Sequence, residues 1–221
     1  MAQQARAQRT RKALIESAAE MFDRHGFALA SLSTISAHAG VSKGAMHFHF
    51  ANKESLAEAV GAAAAQRLAR ITDRRRGHLP GGALQLLIDA THDLARGLGE
   101  DAVLRVGLGA GHAPGHYGAC GGDPRGLWTA WVGEVLRRAA GEGAMTRSAP
   151  ADAVTATLVA TTLGLGTLTS PPDPAAPAPR TDATVTTLWN LLLPRLATTG
   201  AAGELVPSGT PGRGGPPGAS E

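Results

Sequence analysis

Ten residues, VSKGAMHFHF from Val41 to Phe50, set a hydroxyl, one lysine, one glycine and two histidines among Met46, Phe48 and Phe50. On a helix of about 3.6 residues per turn, with Lys43 at zero, His47 falls at about 40° and Gly44 at about 100°, whereas Met46 and Phe50 fall at about 300° and about 340°. A polar arc of Lys43, Gly44 and His47 thus adjoins an apolar arc that anchors the helix to Phe22 and Ile35. Phe48 lies on the flank beyond Gly44, and His49 on the far flank. A cation, a missing side chain and an aromatic hydrogen-bonder at a helix start suit phosphates and base edges. Gly44 allows close approach to a backbone, the first amides and the helix dipole favour phosphate, and Lys43 reaches toward guanine O6 or N7 in a major groove. Ser42 caps this helix while offering its hydroxyl outward, and Lys53 at the start of the next helix stands where a second phosphate clamp is wanted.

Other chemistry is less well supported. His47 and His49 point about 200° apart on a helix and share no metal. The stretch HAPGHYGAC offers His112, His116 and Cys120, but Pro114 and its glycines break any helix that would align them. GLGAGHAPG, from Gly107, follows a helix-like segment and lacks the Gly-Lys pair of a nucleotide loop. No catalytic residue, metal or cofactor is assigned, and the chain is expected not to be an enzyme.

The elements that position the arc are legible in the periodicity. Leu14, Ile15, Ala18, Ala19 and Phe22 recur at helical spacing from Gln8 to His25, and Gly26 supplies a left-handed stop. A short helix from Leu32 to Ala39, capped by Ser31 and ended by Gly40, is separated from the next by Gly40 and Val41 alone. So tight a connection makes two helices meet steeply, as in a helix-turn-helix. Asn52 then caps a long alanine-rich helix running to about Arg76. HLPGG, His78 to Gly82, is Pro/Gly punctuation and a candidate boundary. Beyond it ALQLLIDATHDLARGL, DAVLRVGL, GLWTAWVGEVLRRAA, DAVTATLVATTLGLGTL and DATVTTLWNLLLPRLA read as helices, with Gly/Pro loops at 111–124 and 170–180. The expected fold is all-α. Residues 1–52 form a three-helix DNA-binding domain with a helix-turn-helix, a long helix leads into a helical ligand-binding and dimerisation domain over 53–198, and 199–221 form a disordered tail rich in Gly, Pro and Ser.

Charge agrees with this division. The 221 residues carry a formal net charge of +3, with 12 of the 21 Lys and Arg but 6 of the 18 Asp and Glu in residues 1–80. The front therefore carries +6 and the remainder −3, pointing to an anionic partner for the front, nucleic acid or an anionic membrane surface. The single cysteine and the absence of a leader pattern suit the cytoplasm. The uncharged run from Ala153 to Pro172 is broken up by threonines and closes on two prolines, which fits a buried core helix better than a membrane span.

From Thr10 to Leu56 the chain, with RKALIESAAEMFDRHGF and LSTISAHAGVSKGAMHFHFANKESL, resembles the DNA-binding domain of TetR-type transcriptional regulators. The resemblance implies DNA contacts, mostly to phosphates, by Ser42, Lys43, Gly44, His47, His49 and Lys53. His47 stands where that family usually has Tyr; imidazole keeps a hydrogen bond to phosphate but ties it to pH. GAMHFHFANKESLA, VLRVGL from Val103 to Leu108, Trp131 and Trp189 further resemble the γ-butyrolactone autoregulator receptors of actinobacteria and their antibiotic-sensing pseudo-receptors. Those proteins have two tryptophans at comparable places, one lining the ligand pocket.

Trp131 shares a helix with Val132, Val135 and Leu136, and the helix from Asp152 to Thr169 is apolar with a row of threonines. Such surfaces make an apolar pocket with a few hydroxyls for a lactone or ketone. Trp131 and Thr161 or Thr162 are the expected effector contacts, with Trp128 and Trp189 as further candidates. Leu188, Leu191, Leu192, Leu193 and Leu196 spread over nearly all faces of the last helix, a surplus that suits a homodimer. A dimer places two recognition helices about one DNA turn apart on a pseudo-palindromic double-stranded operator. The expected protein is a repressor released by a small apolar effector, a γ-butyrolactone or an antibiotic. The alternatives are a pseudo-receptor that senses antibiotics or binds no lactone, and an adaptor that binds protein through its C-terminal helices.

Overall fold

In the computed structural model, residues 2–73, 81–110, 123–169 and 181–210 are described. Their helices are α1 (Ala2–Leu29), α2 (Leu32–His38), α3 (Lys43–His49), α4 (Lys53–Asp73), α5 (Gly82–Glu100), α6 (Ala102–Leu108), α7 (Pro124–Gly141), α8 (Ala151–Thr169), α9 (Thr181–Leu196) and α10 (Thr199–Ala202). An isolated bridge between Met145 and Ala197 ties the loop after α7 to the end of α9. The all-α architecture is as expected.

Local signals account for the front of the molecule. α1 begins earlier than its apolar stripe, at Ala2, and is interrupted at Gly26 with φ 78° and ψ 158°. Ser31 and Thr34 form a reciprocal capping box at the start of α2. Gly40, at φ 65°, ends it. Its amide donates to the Ala37 carbonyl and that of Val41 to the Ser36 carbonyl, the paired bonds of a Schellman stop, so the turn into α3 is built from backbone alone. Asn52 Oδ1 accepts from the Ser55 amide at 2.8 Å, opening α4 as its sequence predicts.

Two apolar cores lie in series. The first joins Leu14, Ala18 and Phe22 of α1 with Ile35, Met46, Phe50 and the first half of α4 as far as Ala64. The second begins at Leu68 on the same helix and is organised around α5, against which α7, α8 and α9 pack. Each large side chain enclosed in this way contributes about 1.5–3 kcal/mol relative to exposure. α6 serves both cores: Val103 and Val106 belong to the first, Leu104 and Leu108 to the second. Residues three or four apart share a helix face, so a seven-residue helix turns one face each way and acts as a wedge.

Two expectations change. The segment from Thr199 is not structureless through Thr210: Leu205 is buried and the backbone lies along α5. The Gln85 amide exchanges two hydrogen bonds with Val206, Asp89 accepts from the Thr210 amide and hydroxyl, and His92 Nε2 meets the Pro207 carbonyl. Buried polar groups on α5 need partners, and this segment supplies them. Nor is α8 enclosed as a core helix: Leu158, Thr162 and Leu165 are buried, but Ala153, Ala156, Thr157 and Ala160 are exposed. Its apolar composition covers two faces, and one chain packs only one of them. Among the described residues, no helix is long and apolar enough to cross a membrane.

Candidate nucleic-acid interface

α3 is pinned from below. Met46 and Phe50 are 1% and 3% exposed, while Ser42, Lys43, Gly44 and His47 stand in solvent, the arrangement predicted from the wheel. Ser42 Oγ accepts from the Ala45 amide at 3.2 Å and caps the helix. A side chain added at Gly44 would meet nothing within 4 Å, so its absence leaves open space on the outer face. His49 is half-buried, its ring between Phe48 at 5.3 Å and Phe50 at 6.5 Å.

Lys53 makes contacts within the chain that its position did not disclose. Its ammonium donates to the carbonyls of Phe27, Ala28 and Ala30 at 2.7, 3.3 and 3.1 Å and lies 4.4 Å from the Phe27 ring centroid. The chain turns sharply after Gly26 and leaves those carbonyls without helical donors, which a cation satisfies better than water. Lys53 is a tie between α4 and the end of α1. α1 also carries exposed positive charge, one member of it beside the end of α3. Arg6, Arg9, Arg11 and Lys12 are exposed on it, and the Arg11 guanidinium sits 5.2 Å from the Phe50 ring centroid.

Behind the interface, α6 is joined to the front by ion pairs that the sequence did not disclose. Arg105, within VLRVGL, donates through Nε and pairs through its terminal nitrogen with Asp23 of α1 at 2.9 and 2.8 Å, both side chains being largely buried. It also donates to the Leu98 carbonyl at 2.8 Å. Asp101 caps α6 at the Val103 amide and takes Arg67 of α4, which also pairs with Glu16 of α1 at 3.4 Å. Gly107 lies flat against α4, where any Cβ would overlap that of Ala64. Every element of the front except α2 and α3 is thus gripped by α6 or its cap.

The residues assigned to an effector fall into two groups. Trp128, Trp131 and Thr162 come together: the two indoles stack at 5.2 Å between centroids and 17° between planes. Trp128 is fully buried and its Nε1 donates to Thr162 Oγ1 at 3.2 Å, while that hydroxyl donates to the Leu158 carbonyl. Trp189 lies apart in the α5–α9 contact, buried, its Nε1 donating to Thr91 Oγ1 at 2.7 Å. Thr161 Oγ1 donates to Thr157 of its own helix. Trp131 is half-buried, and among the described residues its indole N–H has no hydrogen-bond partner. A recess of about 360 Å³ between α5, α7 and α10 is lined by Gly81, Glu142, Thr198 and Glu204 but by none of these five residues. His112, His116 and Cys120 lie outside the described residues.

Residues 14–60 match the family of bacterial regulatory proteins described as tetR. The A-factor receptor protein of Streptomyces griseus is 36% identical over 107 residues, which cover 48% of this chain and 36% of that protein. Among solved structures, a γ-butyrolactone receptor described as ArpA-like is 29% identical, covering 89% of this chain and 92% of that one with a TM-score of 0.74. CprB of Streptomyces coelicolor, a TetR family protein, is 31% identical over 88% of this chain and 92% of its own, with a TM-score of 0.72. CprB has also been solved in complex with its biological operator sequence.

Proposed function

This chain belongs to the TetR family of bacterial regulatory proteins, and from that membership we propose that it is a ligand-released repressor that binds a pseudo-palindromic operator as a homodimer. The observation that carries the DNA contact is the outward arc of Ser42, Lys43, Gly44 and His47 above buried Met46 and Phe50. Ser42, His47 and His49 hydrogen-bond phosphate oxygens, Gly44 admits the backbone, and Lys43 reaches a base edge or phosphate. Arg11 of α1, beside Phe50, adds sequence-independent attraction. The protein does no catalysis and acts in the cytoplasm, where its DNA is.

Two copies meet through α8 and α9. Ala153, Ala156, Thr157 and Ala160 form an uncharged exposed stripe at helical spacing, and Leu191 of α9 is 71% exposed. Helices with such faces pair as a four-helix interface.

The effector is a small apolar molecule of the γ-butyrolactone kind, the ligand named for one of the similar receptors. Trp131 is its principal contact, because a half-buried indole with a free N–H can stack on a ring and donate to a carbonyl. Trp128 and Thr162 stand behind it as a wall, their donors being taken within the protein, whereas Trp189, bonded to Thr91, supports the α5–α9 contact. Effector binding favours a state in which α6 shifts; since α6 belongs to both cores, α1 and α4 move with it and the spacing of the two α3 helices fails.

Selection of bound sequences from random duplexes tests the DNA contact. The expected product is a two-fold symmetric site that the Lys43→Ala, Gly44→Glu double variant no longer footprints. Equal footprinting by that folded variant overturns it. A synthetic butyrolactone should quench tryptophan emission in the parent but not in Trp131→Ala, and should release the operator in a gel shift.

A further inference from the structure

The arc on α3 is wider than its polar residues. Phe48 is 83% exposed, the most open large apolar side chain among the described residues. At about 40° from Gly44 and one turn further on, it extends the run Lys43, His47, Gly44 around the same outer surface. Its ring contact among the described residues is His49, edge-on at 5.3 Å, and the missing side chain at Gly44 leaves the ring open along the helix. Apart from that edge contact, an aromatic ring in that position stays in water in the free protein. The surface around it is polar and cationic, which argues for an anionic occupant over an apolar protein partner.

A major groove presents one apolar group among its donors and acceptors, the C5-methyl of thymine. We propose that Phe48 packs on a thymine methyl in each half-site, and that the operator therefore requires a thymine where this ring descends. The proposal rests on the DNA reading given above and adds to it a residue that selects sequence by apolar contact, where Ser42 and His47 meet phosphates. Phe48 thereby distinguishes thymine from cytosine, which lacks the methyl.

Uracil in place of thymine tests this, because it removes the methyl and leaves the pairing edge unchanged. Each thymine of the selected operator is replaced by uracil in turn, and affinity is measured for the parent, Phe48→Ala and Phe48→Leu by fluorescence anisotropy. One thymine per half-site should weaken the parent about fourfold when replaced, and about fifteenfold when replaced in both half-sites, the transfer value of one buried methyl. The same replacement should leave Phe48→Ala unchanged, while Phe48→Leu retains part of the discrimination. If no thymine is sensitive in the parent, or the sensitive one is equally so in Phe48→Ala, the inference is overturned while the operator reading stands. If the parent selects no sequence at all, the operator reading fails first. Helical circular dichroism should be unchanged in both variants, since the side chain is in solvent.

Discussion

The front and rear of the molecule are held together by different kinds of interaction. From α1 to α3 the stops and caps are local: Gly26, the Ser31–Thr34 box, the Gly40 stop and the Ser42 cap each act within a few residues. From α5 onward the polar bonds reach across the chain, as Trp128 to Thr162, Trp189 to Thr91, and Gln85 and Asp89 to Val206 and Thr210 do. Local signals set the ends of the first three helices within a few residues of each. Distant pairs tie together elements of the rear that lie far apart in the chain. α6 joins the two and carries features of both.

The join is where the comparison breaks most readily. Replacing Asp23 by Ala leaves Arg105 largely buried without its carboxylate, and should cost about 3–5 kcal/mol in urea unfolding. An Asp23→Leu, Arg105→Met pair should recover much of that stability while losing the response of operator affinity to effector. If the response survives in the pair, coupling runs through another contact. Gly107→Val, which forces a side chain into Ala64, should cost about 1–3 kcal/mol and shift α6 from α4, whereas Gly44→Ala, facing open space, should leave the melting temperature within a degree or two.

Smaller effects sharpen the contrast between local and distant bonds. Trp128→Phe removes a buried donor and leaves Thr162 short of a partner, so about 1 kcal/mol should be lost, measured by thermal unfolding. Ser31→Ala should cost about 1 kcal/mol as well, but in the front alone, with hydrogen exchange accelerated in α2 and unchanged in α5. Lys43→Ala should leave stability untouched and lower the dependence of log affinity on log salt by about 1.8 for a dimer, about 0.9 for each phosphate released. An unchanged slope would assign Lys43 to a base edge.

The reading head was legible in the sequence because its signals are periodic or terminal. The wheel that sets Lys43, Gly44 and His47 outside Met46 and Phe50 depends on spacing alone, and so does the helix-turn-helix made by Ser31, Gly40 and Ser42. The tie that Lys53 makes to α1 was not legible, because position at a helix start says nothing about carbonyls that the bend at Gly26 leaves open. The order of residues 199–210 was hidden for a similar reason: Gly, Pro and Ser report weak local preference, not the buried amide and carboxylate on α5 that await a partner. The VLRVGL segment carries a family likeness in the sequence, but its place as a wedge depends on the packing. One face of a seven-residue helix can belong to each of two cores only after the helices around it have been placed. What the sequence by itself determined is the set of helices and the outward face of the reader, since these follow from the backbone's period and its caps. Which residues tie the reader to the sensor was decided by tertiary structure, because ion pairs such as Asp23 with Arg105 join positions that no local rule relates.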